Sequence, residues 1–193
     1  MSDENDDLDL LRTAFDTAES VLDHIGDDQL AAPTPCDEYD VRSLENHVVG
    51  WLQMFEAWAN GRAWEGDADA YVADDPAAEL RALADSALAG WEQLGTDRQI
   101  DGMNATLPGD FVLSMMITEY TVHGWDLATA TGQEDRIRAA FSDEQLERIL
   151  DRGRRMLSPE YRGPGKMFGD EVPVGTDASA LDRLVAFFGR VPR

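Results

Sequence analysis

The sequence predicts a mainly α-helical protein. Apolar residues recur at three- and four-residue steps over several long segments, which is the spacing of one helix face. Residues typical of helix starts and ends flank these segments, and no segment alternates convincingly with the period of two that a half-buried strand shows. The 193 residues, of which 43% are hydrophobic, suit a single domain over residues 1–193 with a sizeable core.

Charge and cysteine content narrow the classes of function. The formal net charge of −23 excludes duplex nucleic acid as a partner, because the phosphates would be repelled. This acidity fits either a high-salt cytoplasm or a GC-rich genome. The chain shows neither an apolar run long enough to span a bilayer nor the basic start of a signal peptide. The single cysteine, Cys36, fits a reducing compartment, so we expect a cytoplasmic protein.

Two amphipathic helices are predicted in the first sixty residues. The acidic residues 1–7 are expected to lie outside the first helix, which ends near Gly26. Its apolar face is formed by Leu8, Leu11, Phe15, Ala18, Leu22 and Ile25. Two prolines make 32–36 a loop. Asp40 is a plausible N-cap for the second helix, which Asn60 and Gly61 end. Its inward face carries Leu44, His47, Trp51, Met54 and Trp58.

Two further helices are predicted before Gly132. The third ends at Gly95, and its apolar positions are Leu80, Leu83, Ala87, Leu88, Trp91 and Leu94. Residues 96–109 are irregular and lead into a long fourth helix that Gly132 ends. One face of this helix is formed by Val112, Met116, Glu119, His123, Leu127 and Ala130. We expect these four helices, within residues 8–133, to form a bundle.

The remaining residues, 134–193, are predicted to add two helices outside the bundle. Ser142 and Gln145 form a capping box for a helix that runs to about Leu157. Residues 158–173 are rich in glycine and proline and are predicted to form a loop. A last helix carries Leu181, Leu184, Val185 and Phe188 on its apolar face.

A carboxylate and an imidazole interrupt the apolar face of the fourth helix. Glu119 and His123 are four residues apart, so their Cβ atoms lie about 6 Å from each other. Burial of both without partners would cost several kcal/mol. With His47 they offer the two imidazoles and one carboxylate that suit a divalent transition metal. The spacing alone also fits a Glu–His ion pair beside a hydrogen-bonded core histidine.

Two motifs resemble the mycothiol-dependent maleylpyruvate isomerase N-terminal family, a branch of the DinB-like four-helix bundles. The first motif comprises Thr34-Pro-Cys36, Tyr39-Asp-Val41, Leu44 and His47-Val-Val-Gly50, and the second comprises Val122-His-Gly-Trp-Asp-Leu-Ala128 with Thr131-Gly132. The resemblance covers residues 8–133 and implies a metal, zinc, held by His47, Glu119 and His123. The segments 168–174 and 183–190 are similar to compact, largely uncharacterised members of the family.

The resemblance implies a metal-dependent enzyme that activates a low-molecular-weight thiol, such as mycothiol, for transfer to or isomerisation of an electrophilic small molecule. The compact C-terminal part favours an acceptor other than maleylpyruvate. Two alternatives remain: a hydrolase that uses metal-bound water, and a non-catalytic metal-binding protein. An open coordination position would favour an enzyme, whereas a fourth protein ligand would favour the non-catalytic alternative. The least favoured hypothesis is a structural domain without metal.

Other polar residues have simpler interpretations. His24, near the end of the first helix, is not predicted to be a ligand. Asp126 is either a hydrogen-bond acceptor for His123 or is bonded to a neighbouring loop. We expect Cys36 to be a small buried residue rather than a redox thiol.

The tryptophans and one group of arginines were considered as ligand-binding residues. We expect four of the five tryptophans to belong to the core: Trp51, Trp58, Trp91 and Trp125. Arg154, Arg155 and Arg162 could meet an anionic substrate, but a solvated helix face is the favoured interpretation.

Overall fold

The structure is a computed structural model that describes residues 2–163, 166 and 168–192, with side chains from residue 5 onward. Its helices are α1 (Ser2–Leu22), α2 (Val41–Ala59), α3 (Pro76–Leu94), α4 (Gly109–Thr131), α5 (Glu134–Ala140), α6 (Asp143–Met156) and α7 (Ala180–Phe187). Two short strands, β1 (Gln99–Gly102) and β2 (Ala105–Pro108), pair between α3 and α4. The predicted, mainly all-α fold is confirmed.

Helices α1 to α4 form the bundle, and α4 is its central member. Helix α1 packs against α3 and α4, while α2 packs against the same two helices. Helix α4 also contacts α5 and α6, so side chains are buried on nearly all of its sides. The Tyr120 hydroxyl of α4 donates to the carbonyl of Val48 in α2 at 2.9 Å. This bond joins the two helices that carry the predicted metal ligands.

The helix ends follow the capping residues. The Asp40 side chain accepts from the backbone N–H of Ser43 at 2.8 Å, and Ser142 and Gln145 form the predicted reciprocal capping box. Helix α4 ends at Gly132, which has φ +72° and ψ 33°, a left-handed conformation that glycine adopts without steric cost.

The β-hairpin is an element that the sequence analysis missed. The strands pair antiparallel through Gln99–Pro108 and Ile100–Leu107, and Met103 and Asn104 both have positive φ at the turn. Such a two-residue turn usually contains glycine, and four-residue strands are too short to show a clear alternation. The turn residues and the strand pattern therefore gave only weak signals for a hairpin.

The N-terminal part of α1 and the whole of α5 were also missed. Helix α1 begins at Ser2 instead of Leu8, since acidic residues stabilise a helix N-terminus through its dipole. Asp7 is anchored by ion pairs to Arg148 and Arg152 of α6. Met1 lies outside the described residues. Helix α5 follows Gly132 directly, so three helices follow the bundle where two were predicted, and the predicted pair corresponds to α6 and α7.

The predicted loop 158–173 contains a short 3-10 turn, Pro159–Tyr161, and a backbone bridge between Arg162 and Phe168. Residues 164, 165 and 167 of this loop lie outside the described residues. Within the described part of the chain, the helices all lack the combination of length and apolar character that crossing a membrane requires.

Candidate metal centre

The structure brings the three predicted ligands together where α2 faces α4. His47 Nε2 lies 3.0 Å from Glu119 Oε1, and His123 Nε2 lies 3.5 Å from the same oxygen. One potential ligand atom from each residue lies within 4.8 Å of the others. The two imidazole ring centroids are 5.2 Å apart. Both Nε2 atoms therefore face one carboxylate oxygen, as two ligands of a shared ion would.

The outward nitrogens of both rings are held by other residues. His123 Nδ1 donates to Asp126 Oδ2 at 3.0 Å, which leaves the lone pair on Nε2 when the ring is neutral. His47 Nδ1 lies 3.0 Å from the Tyr39 hydroxyl. Metal-binding histidines commonly have such a partner on the second nitrogen, because it fixes the tautomer and the ring orientation.

Asp126 is itself anchored by Arg190, which follows α7. Asp126 is completely buried, and Arg190 donates to it from Nη2 at 2.8 Å and from Nε at 3.2 Å. The remaining Nη1 donates to the Phe188 carbonyl at 2.8 Å. The structure shows both roles considered for Asp126: it accepts from His123, and it is bonded to the loop after α7 through Arg190. The sequence analysis missed Arg190 because no spacing rule connects residues so far apart.

Gly50 allows the loop between α2 and α3 to approach the site. A Cβ atom at this position would lie 2.2 Å from the Ala68 carbonyl oxygen, so only glycine fits. The neighbouring Asp69 then accepts from Trp51 Nε1 at 3.0 Å, and its Oδ1 lies 3.8 Å from His47 Nδ1. The glycine of the first motif thus brings a carboxylate to the outer side of His47.

Electrostatics favour an ionised Glu119. Burial by itself raises the pKa of this carboxyl, but His123, His47 and Arg190 outweigh that effect and lower the pKa to about 2. Burial lowers the pKa of His123, yet Glu119 and Asp126 more than compensate, so the pKa of the ring is raised. In the metal-free protein the site is therefore a carboxylate beside an imidazole that readily takes up a proton.

The raised pKa of His123 predicts that metal affinity rises with pH. Because the folded-state pKa of His123 exceeds the unfolded value of about 6.5, protonation stabilises the metal-free fold fully below that value. The stabilisation is lost as the pH rises through the raised folded-state pKa. Metal needs the neutral ring, so zinc affinity should increase about tenfold per pH unit while His123 titrates. Competition with a chelating dye between about pH 6 and about pH 9 measures this slope.

The control for the pH prediction is His24→Ala. This histidine has a half-exposed side chain and is not one of the three predicted ligands. The variant should therefore show the same increase of zinc affinity with pH as the wild type. A zinc affinity that is independent of pH over the same range would contradict the prediction.

A cleft of about 230 Å³ opens beside the three residues. His47, Glu119 and His123 all line it, with side chains that are 10%, 21% and 12% exposed. The site is thus mostly shielded from water yet reachable by a small molecule.

Cys36 and Trp51 lie in this cleft, contrary to expectation. The predicted small buried role of Cys36 is wrong: the residue is half-buried and lines the cleft. Burial raises the pKa of its thiol. With His123 and Asp126 it forms a second possible ligand group, which shares His123 with the first. Trp51 is partly exposed, and the centroid of its ring lies 5.4 Å from that of the His47 ring.

The other three tryptophans that were predicted for the core are buried there: Trp58, Trp91 and Trp125. The arginines considered for an anionic substrate do not line the cleft. Arg162 donates to the Gly169 and Phe187 carbonyls, and Arg154 lies 3.5 Å from Asp151. Tyr39 was missed as a site residue, although it belongs to the first motif, because a tyrosine in a loop carries no metal signal by itself.

The fold and the site define a class: a helical bundle of the DinB-like type with a candidate metal centre of two histidines and one glutamate between facing helices. The chain belongs to the family described as mycothiol maleylpyruvate isomerase N-terminal domain, whose model matches residues 11–128. The resemblance stated from the sequence is thereby confirmed.

Two similar proteins come from Mycobacterium tuberculosis, Uncharacterized protein Rv0738 of strain H37Rv and Uncharacterized protein MT0763 of strain CDC 1551 / Oshkosh. Each is 34% identical over 189 residues, which cover 93% of this chain and 95% of the relative. No solved structure matches the chain.

Proposed function

We propose that the protein binds one zinc ion through His47, Glu119 and His123 and activates a low-molecular-weight thiol for transfer to, or isomerisation of, an electrophilic small molecule. The observation that supports this proposal is the convergence of both Nε2 atoms on Glu119 while both Nδ1 atoms are held by Tyr39 and Asp126. A metal-free ion pair would need only one histidine to balance Glu119.

The donor set fits the metal and leaves room for a further ligand. Two imidazoles and one carboxylate are ligands that zinc commonly takes, and three protein ligands characterise catalytic rather than structural zinc sites. Among the described residues, Cys36 groups with His123 and Asp126 but not with His47 and Glu119, so it does not close the triad. A zinc ion held there would act as a Lewis acid and lower the pKa of a thiol in its remaining position.

The protein's own residues orient the site and limit its contact with water. Burial raises the pKa of Tyr39 to about 12, so its hydroxyl stays protonated at neutral pH and remains a hydrogen-bond partner for His47. Asp126 and Arg190 fix the ring of His123 from the opposite side. Trp51 and Phe55 shield the cleft. These groups hold the ligands in place so that the reaction does not have to reorganise them.

The proposal predicts that the protein purified without chelator carries about one equivalent of divalent metal. Titration of the zinc-loaded protein with mycothiol in weak buffer should release close to one proton per thiol bound, because a bound thiol ionises. The Glu119→Gln, His123→Ala double variant should release none. Isothermal calorimetry in buffers of different ionisation enthalpy measures the proton count.

The controls are His24→Ala, which should behave as the wild type, and S-methyl mycothiol, which cannot ionise and should release no proton. A protein that carries no metal and cannot be loaded would overturn the metal assignment. Metal binding without thiol binding would overturn thiol transfer and favour a hydrolase or a non-catalytic metal-binding protein.

A further inference from the structure

The cleft beside the candidate metal centre has acidic groups on its solvent-facing side. Glu38 and Asp69 both line it and both are exposed, the Asp69 side chain to 75%. Glu119 adds a third carboxylate at the inner end. An anion that enters the cleft must therefore pass two negative charges and approach a third.

In the part of the chain that the structure describes, the cleft offers such an anion no guanidinium or ammonium group that is free of other partners. Among the described lining residues, Arg190 is the sole lysine or arginine. It is 9% exposed, and its Nε, Nη1 and Nη2 atoms already donate to Asp126 and to the Phe188 carbonyl. A divalent ion and a bound thiolate together would add a single positive charge to three carboxylates, so the cleft would remain negative.

The walls are apolar and the space is small. Aromatic and thioether side chains line the cleft, among them Trp51, Phe55, Phe168, Met103, Met115 and Met156. Its 230 Å³ is less than the roughly 300–1,000 Å³ of sites that hold drug-sized ligands. Methionine and aromatic side chains adapt to apolar groups of varied shape. The cleft therefore suits one ring or a short alkyl group.

We propose that this cleft selects a small apolar molecule that carries no negative charge. The inference deepens the proposed function, since the molecule selected is the acceptor for the thiol at the same centre. It assigns the acceptor to neutral or cationic compounds and excludes carboxylates.

The test compares three probes of matched size: 2-phenylethanol, 2-phenylethylamine and phenylacetate. Their binding to the metal-free and the zinc-loaded protein is followed by NMR of methyl-13C-labelled methionine, because Met103, Met115 and Met156 line the cleft. In both forms phenylacetate should bind at least about tenfold more weakly than the other two, since like charges in an enclosed site repel strongly. Binding of phenylacetate to the zinc-loaded protein as tightly as 2-phenylethanol would overturn the selectivity.

Variants identify the groups that cause the selectivity. Glu38→Gln with Asp69→Asn should narrow the difference in affinity between phenylacetate and 2-phenylethanol to about threefold. Asp28→Asn with Glu144→Gln removes the same charge at exposed positions outside the cleft and should leave this difference unchanged. An unchanged difference in Glu38→Gln with Asp69→Asn would overturn the assignment of the selectivity to these two carboxylates.

Metal content and thiol-linked proton release are measured on the same samples. Selective probe binding by a protein that takes no metal would support the cleft assignment and overturn the proposed function. Metal and thiol binding together with tight phenylacetate binding would support the proposed function and overturn the selectivity of the cleft.

Discussion

His123→Ala is expected to lower the affinity for zinc by more than about a hundredfold. Loss of a residue that only hydrogen-bonds to a metal ligand typically lowers the metal affinity 10- to 100-fold. Loss of the ligand itself should lower the affinity by at least as much. The remaining pair, His47 and Glu119, lie 3.0 Å apart and can satisfy each other without metal. Competition with a chelator of known affinity measures the change.

The matched control for His123→Ala is His24→Ala, the same substitution at a histidine whose side chain is 51% exposed and lies outside the triad. It should bind zinc as the wild type does. Circular dichroism checks that both variants keep their helices. An affinity for zinc that is unchanged in a folded His123→Ala protein would remove this residue from the site.

Arg190→Met is expected to lower the free energy of unfolding by about 3–5 kcal/mol, because it leaves the buried Asp126 without its cationic partner. Zinc affinity should also fall about 10- to 100-fold, since Asp126 then no longer holds His123 firmly. Urea denaturation of the metal-free protein measures the first effect, and chelator competition measures the second.

Two comparisons isolate the cause of this loss. Arg12→Met removes an arginine from an exposed pair, with side chains 46% and 57% exposed, and should cost less than about 1 kcal/mol. The double variant Arg190→Met, Asp126→Leu should recover much of the stability, since apolar residues often replace a buried pair without loss. Its zinc affinity should stay low, because His123 Nδ1 still lacks an acceptor. Recovery of both properties would show that Asp126 does not orient the ring.

The helical bundle could be predicted because its signals are local. The apolar faces, the Asp40 cap, the Ser142–Gln145 capping box and the Gly132 stop all act within a few residues. The hairpin was missed because its strands are short and its turn has no glycine. The start of α1 was missed because ion pairs to α6 stabilise it, and such long-range contacts leave no periodic pattern.

The candidate site could be predicted only in part. Helical spacing places Glu119 and His123 side by side, but no local rule brings His47 to them; the family motifs suggested that connection. The structure brings the three together, and their role as metal ligands stays a prediction. Tyr39 and Arg190 were missed because hydrogen bonds between loops and helix ends depend on how the helices pack.

The long chain separation of the site residues has a consequence for folding kinetics. His47 and Glu119 are 72 residues apart, and Asp126 and Arg190 are 64 apart. Closing such loops is entropically costly, so these contacts should form late, after the helices have docked. An ion bound there would stabilise the native state more than the folding transition state. It would therefore slow the unfolding of the protein without hastening its folding, and so prolong the lifetime of the folded chain.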